Sequence, residues 1–415
     1  MTTNTEIGSA SNASTSRNTP RTPNMRVVLL AMLFFALATG TVTTNPIAIK
    51  VDLGTLGGTT TSTVAMNAIG QIVGFSSTKE GVFHAFSWTP FLGMTDLGNT
   101  LGGSESYARA LSDRGHVVGY AFIDDAVHEK GPLFHAFLWT ASLGMIDLGL
   151  LPGDDVSYAS AVNASGQVVG VSEIQQGFQH AFSWTPSRGM TDLGTLGGPE
   201  AAAVAVNADG VVVGHSRTAD NTTHAFSWTE SGGMIDLGTV GDAISIARAV
   251  TRSGHVIGSI NGSIGSHGFS WTQSGGMVDI GTLGGTFTDV SAVNENGEIV
   301  GISGLPGDAD AHAFLWTNAG GMADLGTLGG TASLAWGING RGQVVGVSFT
   351  RRNAELHAFS WTRSGGMIDL GTLGGTSSSA LAVDTTGRLV AGQSTTRQDR
   401  ELHGVLWLLL QPAFQ

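Results

Sequence analysis

The sequence predicts an all-β protein, a closed eight-bladed β-propeller of four-stranded antiparallel blades, and three observations predict it. The first is a repeat. Asp-(Leu/Ile)-Gly recurs at Asp52, Asp96, Asp147, Asp192, Asp236, Asp279, Asp324 and Asp369, at intervals of 43 to 51 residues, most of them 44 or 45. The second is composition: 62 Gly against 10 Pro, with no Gly-X-Y period, and Val, Ala and Thr between the glycines, reads as short strands joined by tight turns. The third is how the array starts and stops. It begins with a lone strand, Val51 to Gly54, and ends after a third strand near Trp407, so the missing fourth strand stands at the other terminus. In a ring the first strand completes the last blade and removes both unpaired edges. An open solenoid would leave an apolar blade bare at each end, without a polar cap.

The copy from Asp192 to Asp236 shows the four elements in order. Ala201 to Val206 is a run of Ala and Val that suits the crowded innermost position. Asn207-Ala208-Asp209-Gly210 turns the chain. Val211 to Ser216 is the second strand; its Gly214 recurs as Gly74, Gly119, Gly170, Gly258, Gly301, Gly346 and Gly392, which points to close backbone approach or a bulge. His224 to Thr229 alternates Ala225 and Ser227 against Phe226 and Trp228, the period of two expected of a third strand packed between blades. Ser231-Gly232-Gly233 turns into the fourth strand, Met234 to Leu237. Four strands in about 45 residues is one propeller blade.

The repeated side chains are expected to hold this frame. They are His84, His135, His180, His224, His267, His312, His357 and His403 at the head of the third strands, and Trp88, Trp139, Trp184, Trp228, Trp271, Trp316, Trp361 and Trp407 within them. One His per blade spreads the imidazoles around a wide circle, whereas zinc needs several donors converging on one ion. Pairing each His with the repeated Asp is the more economical account. The turn residues Asn67, Asn163, Asn207, Asn294 and Asn339, with Asp384 in the same place, are expected to cap their own turns. Trp336 falls outside the register, in an innermost strand.

What differs between copies is the place to look for function. The loops between second and third strands vary most, and they share a rim with the connections between blades. The candidate binding residues there are Asp124, Asp125, His128 and Glu129 in the longest loop, Asp308 and Asp310 in another, and Arg351 and Arg352 in a third. Asp124-Asp125 with Glu129, or Asp308 with Asp310, offers oxygen ligands for calcium, but neither stretch has the spacing of a known calcium loop; no other cofactor is expected. No G-x-S-x-G elbow, Walker loop or G-x-G-x-x-G fingerprint after a strand is present. With 12% charged residues, a net charge of −13 and basic residues no denser than pairs, a nucleic-acid partner is not expected.

The ends bear on location. Residues 1–24 read as a disordered leader or upstream translation, and residues 25–38 as a signal segment: Met25, a basic Arg26, the apolar run from Val27 to Ala38 and a small-residue ending at Ala36-Leu37-Ala38. Residues 39–50 read as a linker and 51–415 as the propeller. An uncleaved N-terminal anchor is the alternative to a cleaved signal. With no Cys, an exported domain takes its stability from packing alone.

The tripeptides His-Ala-Phe at 84–86, 135–137, 180–182, 224–226, 312–314 and 357–359, with G-M-x-D-L-G downstream and N-x-x-G-x-x-V-G upstream, resemble the bacterial extracellular HAF-repeat proteins over about residues 51 to 407. Two copies depart from the pattern, His267-Gly268-Phe269 and His403-Gly404-Val405. The resemblance implies an exported or surface-associated repeat protein and names no substrate; the recurring Asp, His and Trp are also similar to the blade network of WD-repeat propellers. Together these readings lead to an expected function: a secreted, periplasmic or cell-surface scaffold that is not an enzyme and binds a surface glycan or extracellular protein through its rim loops. Two alternatives stand beside it, a glycan-active enzyme with a carboxylate site at the rim and a mainly structural surface protein.

Overall fold

The computed structural model describes residues 47–124, 131–174, 177–241, 244–263 and 265–410. The expected signal segment and leader lie outside these residues. Thirty-two strands form eight four-stranded antiparallel blades. Each blade runs from an innermost strand, such as Gly197–Val206, through Val212–Thr218 and Thr223–Thr229 to an outermost Gly233–Asp236. Among the described residues no helix is long and apolar enough to cross a membrane.

The ring closes as the sequence predicts. Ile47–Gly54 pairs antiparallel with Leu402–Leu410 as the outermost strand of the eighth blade. This strand starts four residues ahead of the expected Val51, because Ile47 to Lys50 pairs with Leu410 to Trp407 and so covers the apolar end of its partner. The seam is tied further by Lys50 Nζ donating to Thr372 O (2.9 Å) and by Thr61 Oγ1, in the first blade, donating to Gly54 O (2.8 Å).

The core lies between blades. The Ala of one third strand packs on the Phe and Trp of the next: Ala136 and Leu138 against Phe182 and Trp184, and Ala225 against Phe269 and Trp271. Phe86, Phe137, Phe182, Phe226, Phe269, Phe314 and Phe359 are all fully buried. Each such ring contributes about 1.5–3 kcal/mol by leaving water.

The repeated second-strand glycine answers a bulge in its neighbour. Every innermost strand breaks register at one shared place, as between Ala203 and Ala205, beside that glycine. A Cβ on Gly214 would lie 1.9 Å from Ala202 O, and the other seven copies meet the same obstacle at 1.9–2.1 Å. Close approach and bulge are thus one feature.

Two sets of polar bonds join neighbouring blades. On one face the turn asparagines do more than cap: Asn163 Oδ1 accepts from the backbone N–H groups of Ser165 and Gln167, while its Nδ2 donates to Asn207 O of the next blade (3.0 Å). Asn207, Asn294 and Asn339 reach onward in the same way. Near the other face a buried hydroxyl at the start of the innermost strand links backward; Ser333 Oγ accepts from Ala313 N (2.8 Å) and donates to Gly326 O (2.6 Å). Ser106, Ser157, Ser245 and Ser378 repeat both bonds.

Candidate functional site

The face that carries the second-to-third loops also carries the repeated imidazoles. Each His heads a third strand, and seven of the eight meet an Asp on the fourth, in reach because the two strands are hydrogen-bonded neighbours. His84 Nδ1 lies 2.9 Å from Asp96, His224 2.9 Å from Asp236, and His403 2.8 Å from Asp52 across the ring seam. The Asp also accepts from the N–H two residues on, as Asp147 does from Gly149. Burial raises the Asp147 pKa, but the bonds from His135 and Gly149 outweigh it and hold the carboxyl below its ordinary value. His180 departs from the pattern: it turns to the buried Asp154 (3.1 Å) in place of Asp192. Among the described residues no group of three or more His, Cys, Asp or Glu is placed to hold a metal.

Among the described residues, the loop positions marked in the sequence lie on separate blades. Asp124 ends the described part of the second blade's loop, and Asp125, His128 and Glu129 lie outside the described residues. Asp308 and Asp310 belong to the sixth blade. There Asp308 accepts from Thr286 N and Oγ1 at 2.9 and 2.6 Å, bonds that hold its pKa below the usual carboxylate value. Arg351 and Arg352 are exposed in a short turn, Arg351–Asn353, on the seventh blade.

The residues that do gather were not singled out by the sequence. The bulges of the innermost strands turn their extra residue toward the central channel. Val64, Arg109, Ser160 and Val204 occupy that position in the first four blades, and all four line a channel cavity of about 730 Å³. Tyr107, Tyr120 and Tyr158, the only tyrosines in the chain, line the same cavity with Gln179 and His215. Tyr107 stacks on Tyr120 (5.0 Å between ring centroids), and Phe75 and Phe134 extend this aromatic wall. Innermost strands are therefore not uniformly small: the bulge gives a large residue room by aiming it into the channel, and Trp336, at the bulge of the seventh blade, is 41% exposed there. Cavities of about 800 and 870 Å³ on the opposite face are larger, but repeated Trp, Thr and Ser line much of them; the channel cavity is lined mostly by what the copies do not share.

Its polar groups are suited to proton transfer. Tyr107 donates to Glu105 Oε2 (2.8 Å), and burial together with that carboxylate drives the phenol's pKa well above its ordinary value, so Tyr107 stays protonated and Glu105 is the acceptor. Burial and the Glu173 carboxylate raise Tyr158 as well, and Gln179 Nε2 donates to Glu173 Oε2 (3.0 Å). Burial lowers the His215 pKa, with Glu200 opposing it only partly, and His215 Nδ1 is buried with no hydrogen-bond partner. A neutral imidazole and two tethered carboxylates thus stand at or beside one open cavity. A signal existed: Tyr107, Arg109 and Tyr158 break the small-residue pattern of the first strand.

The chain matches no family model and no curated protein. Among solved structures it is similar to dipeptidyl peptidase 4 of Porphyromonas gingivalis, with a TM-score of 0.53 and 10% identity over 83% of this chain and 56% of that one. Puromycin hydrolase gives 0.46 and 13% identity over 77% of this chain and 54% of that one. Oligogalacturonate lyase from Vibrio parahaemolyticus gives 0.46 and 10% over 88% and 97%. The chain spans little more than half the length of the first two. At such identities the likeness establishes an all-β, multi-bladed propeller.

It also corrects the expectation of a non-catalytic scaffold that is not an enzyme. A structure named for a peptidase shares this architecture. Regular blades without a catalytic cluster visible in sequence are therefore no mark against catalysis. The physical reason lies in the ring, which draws its channel groups from strands far apart in sequence: Tyr107, Tyr158 and His215 come from three different blades.

Proposed function

We propose that the protein is an exported enzyme that cleaves a glycan at the channel cavity, its signal segment being residues 25–38 and its repeats of the HAF type. One observation carries the reading. The chain's three tyrosines, scattered over 52 residues of sequence, line one cavity beside the carboxylates Glu105 and Glu173. Flat aromatic faces suit sugar rings, and cleavage of a glycosidic bond calls for two acids, one to protonate the leaving oxygen and one to act on the opposite side of the ring. Glu105 and Glu173 sit on adjacent blades, each bonded to a residue of the cavity wall, Tyr107 and Gln179. His215, kept neutral by burial, is a further proton acceptor on the cavity wall.

The test is time-dependent release of reducing ends from a panel of neutral and acidic polysaccharides. The wild-type protein is expected to release product from at least one of them. Glu105→Gln and Glu173→Gln are expected to lower kcat by about 100-fold or more while melting like the parent. A panel that yields no product, or both variants turning over at the parental rate, would sink the proposal.

A further inference from the structure

Arg109 stands in the channel cavity without an ion pair among the described residues. Its guanidinium carbon lies 5.3 Å from the Tyr120 ring centre and 5.1 Å from that of Tyr158. Arg248 provides an internal control. It occupies the same bulge position in the fifth blade, where register breaks between Ala247 and Ala249, and it pairs with Asp289 of the next blade at 3.2 Å. Asp289 and Tyr158 stand at equivalent places in their own blades, one opposite Ile302 and the other opposite Val171, each just after the second-strand glycine. Where one sector gives the bulge arginine a carboxylate, the other gives it a tyrosine ring.

The substitution has a chemical consequence. A ring satisfies the flat face of a guanidinium but leaves its in-plane N–H donors uncommitted. The neighbouring cation Arg217 does not share this state, because its Nε is 2.8 Å from Glu200 Oε2. Arg109 is exposed, so its donors face the cavity, in a chain whose net charge of −13 otherwise repels anions. A planar cation with free donors, oriented by stacking, matches a carboxylate that can take two parallel hydrogen bonds.

We propose that Arg109 is the anchor for a carboxylate carried by the substrate, so that the glycan bound at this cavity is an acidic one, built from uronic acid residues. The inference rests on the glycan-cleaving reading of the site and supplies its substrate class. Tyr107 and Tyr120 would then face the rings of the sugar, with its acid group on Arg109.

Calorimetric titration of the full chain tests this, using a uronic acid oligosaccharide and its carboxyl-reduced neutral counterpart of equal length. The wild-type protein is expected to bind the acidic oligomer at least tenfold more tightly than the neutral one. Arg109→Gln should remove that preference, Arg109→Lys should retain part of it, and Arg248→Gln should leave both the preference and the affinity for the neutral oligomer unchanged. Equal binding of the two oligomers, binding of neither, or an unchanged preference in Arg109→Gln would overturn the anchor. Tight binding of the acidic oligomer without turnover would leave the anchor standing and defeat the enzyme reading. Turnover of neutral glycans with no acidic preference would do the reverse.

Discussion

At the scale of single residues, the second-strand glycine is the least replaceable position in the blade. Its reason is steric and local: the facing bulge pushes a carbonyl oxygen into the space a methyl group would need, 1.9 Å from the site of a Cβ on Gly214. Gly214→Ala is expected to cost roughly 3 kcal/mol or more, because backbone and not a flexible side chain must yield. A thermal melt within a few degrees of the parent would contradict that. This position was legible in the sequence because it repeats at every copy. The channel residues were not, for the opposite reason: Tyr107, Arg109 and Tyr158 appear once each, and a reading that collects what copies share passes over them. Only the register shift in the innermost strand shows that Arg109 points into the channel while Ala108 beside it is buried.

At the scale of elements, blades are joined by polar bonds as well as by apolar faces. The buried hydroxyl that opens the innermost strand satisfies an N–H and a carbonyl of the blade before it. Ser333→Ala removes both bonds and leaves Ala313 N buried without its acceptor, at a cost of about 1–2 kcal/mol by chemical denaturation. The fourth blade has Ala201 in this place, so Ala201→Ser should be neutral or stabilising; the two substitutions moving stability the same way would refute the account of the link. The copy that displays the repeat most cleanly is the one that lacks this hydroxyl, which is why the link was invisible from it. The sequence shows the turn asparagines only as local caps for a similar reason. Their second bond goes to a residue about 44 positions away, and spacing in one copy cannot show it.

At the scale of the whole molecule, the ring depends on its N-terminal strand. A lone strand at one end and a missing one at the other sufficed to predict the closure, since pairing them removes two bare edges at once. Deleting residues 44–57 should lower the melting temperature and expose apolar surface to a reporter dye, whereas deleting residues 2–24 should change neither. Equal melting of the two truncations would refute the seam. The seam is also a pH-sensitive contact. His403 lies between Asp52 on the closing strand (2.8 Å) and Glu401 (2.9 Å). Its bond to Asp52, with Glu401 assisting and burial opposing, raises its pKa above the ordinary imidazole value of about 6.5. A raised value means that this stability is fully present below about pH 6.5 and is lost as pH climbs through the folded-state pKa. The melting temperature of the intact ring should therefore fall over that interval, and His403→Gln should flatten the fall; parallel profiles for parent and variant would show that the seam does not titrate.

The central claim is that the working site is the channel cavity lined by the first four blades and not the outer loops. The most direct measurement is a crystal structure of Glu105→Gln bound to an acidic oligosaccharide on which the parent is active. The account predicts a sugar ring against Tyr107 and Tyr120 with its carboxylate on Arg109. A sugar seated instead on the loops of the sixth and seventh blades, near Asp308 and Arg351, with the channel empty, would contradict it.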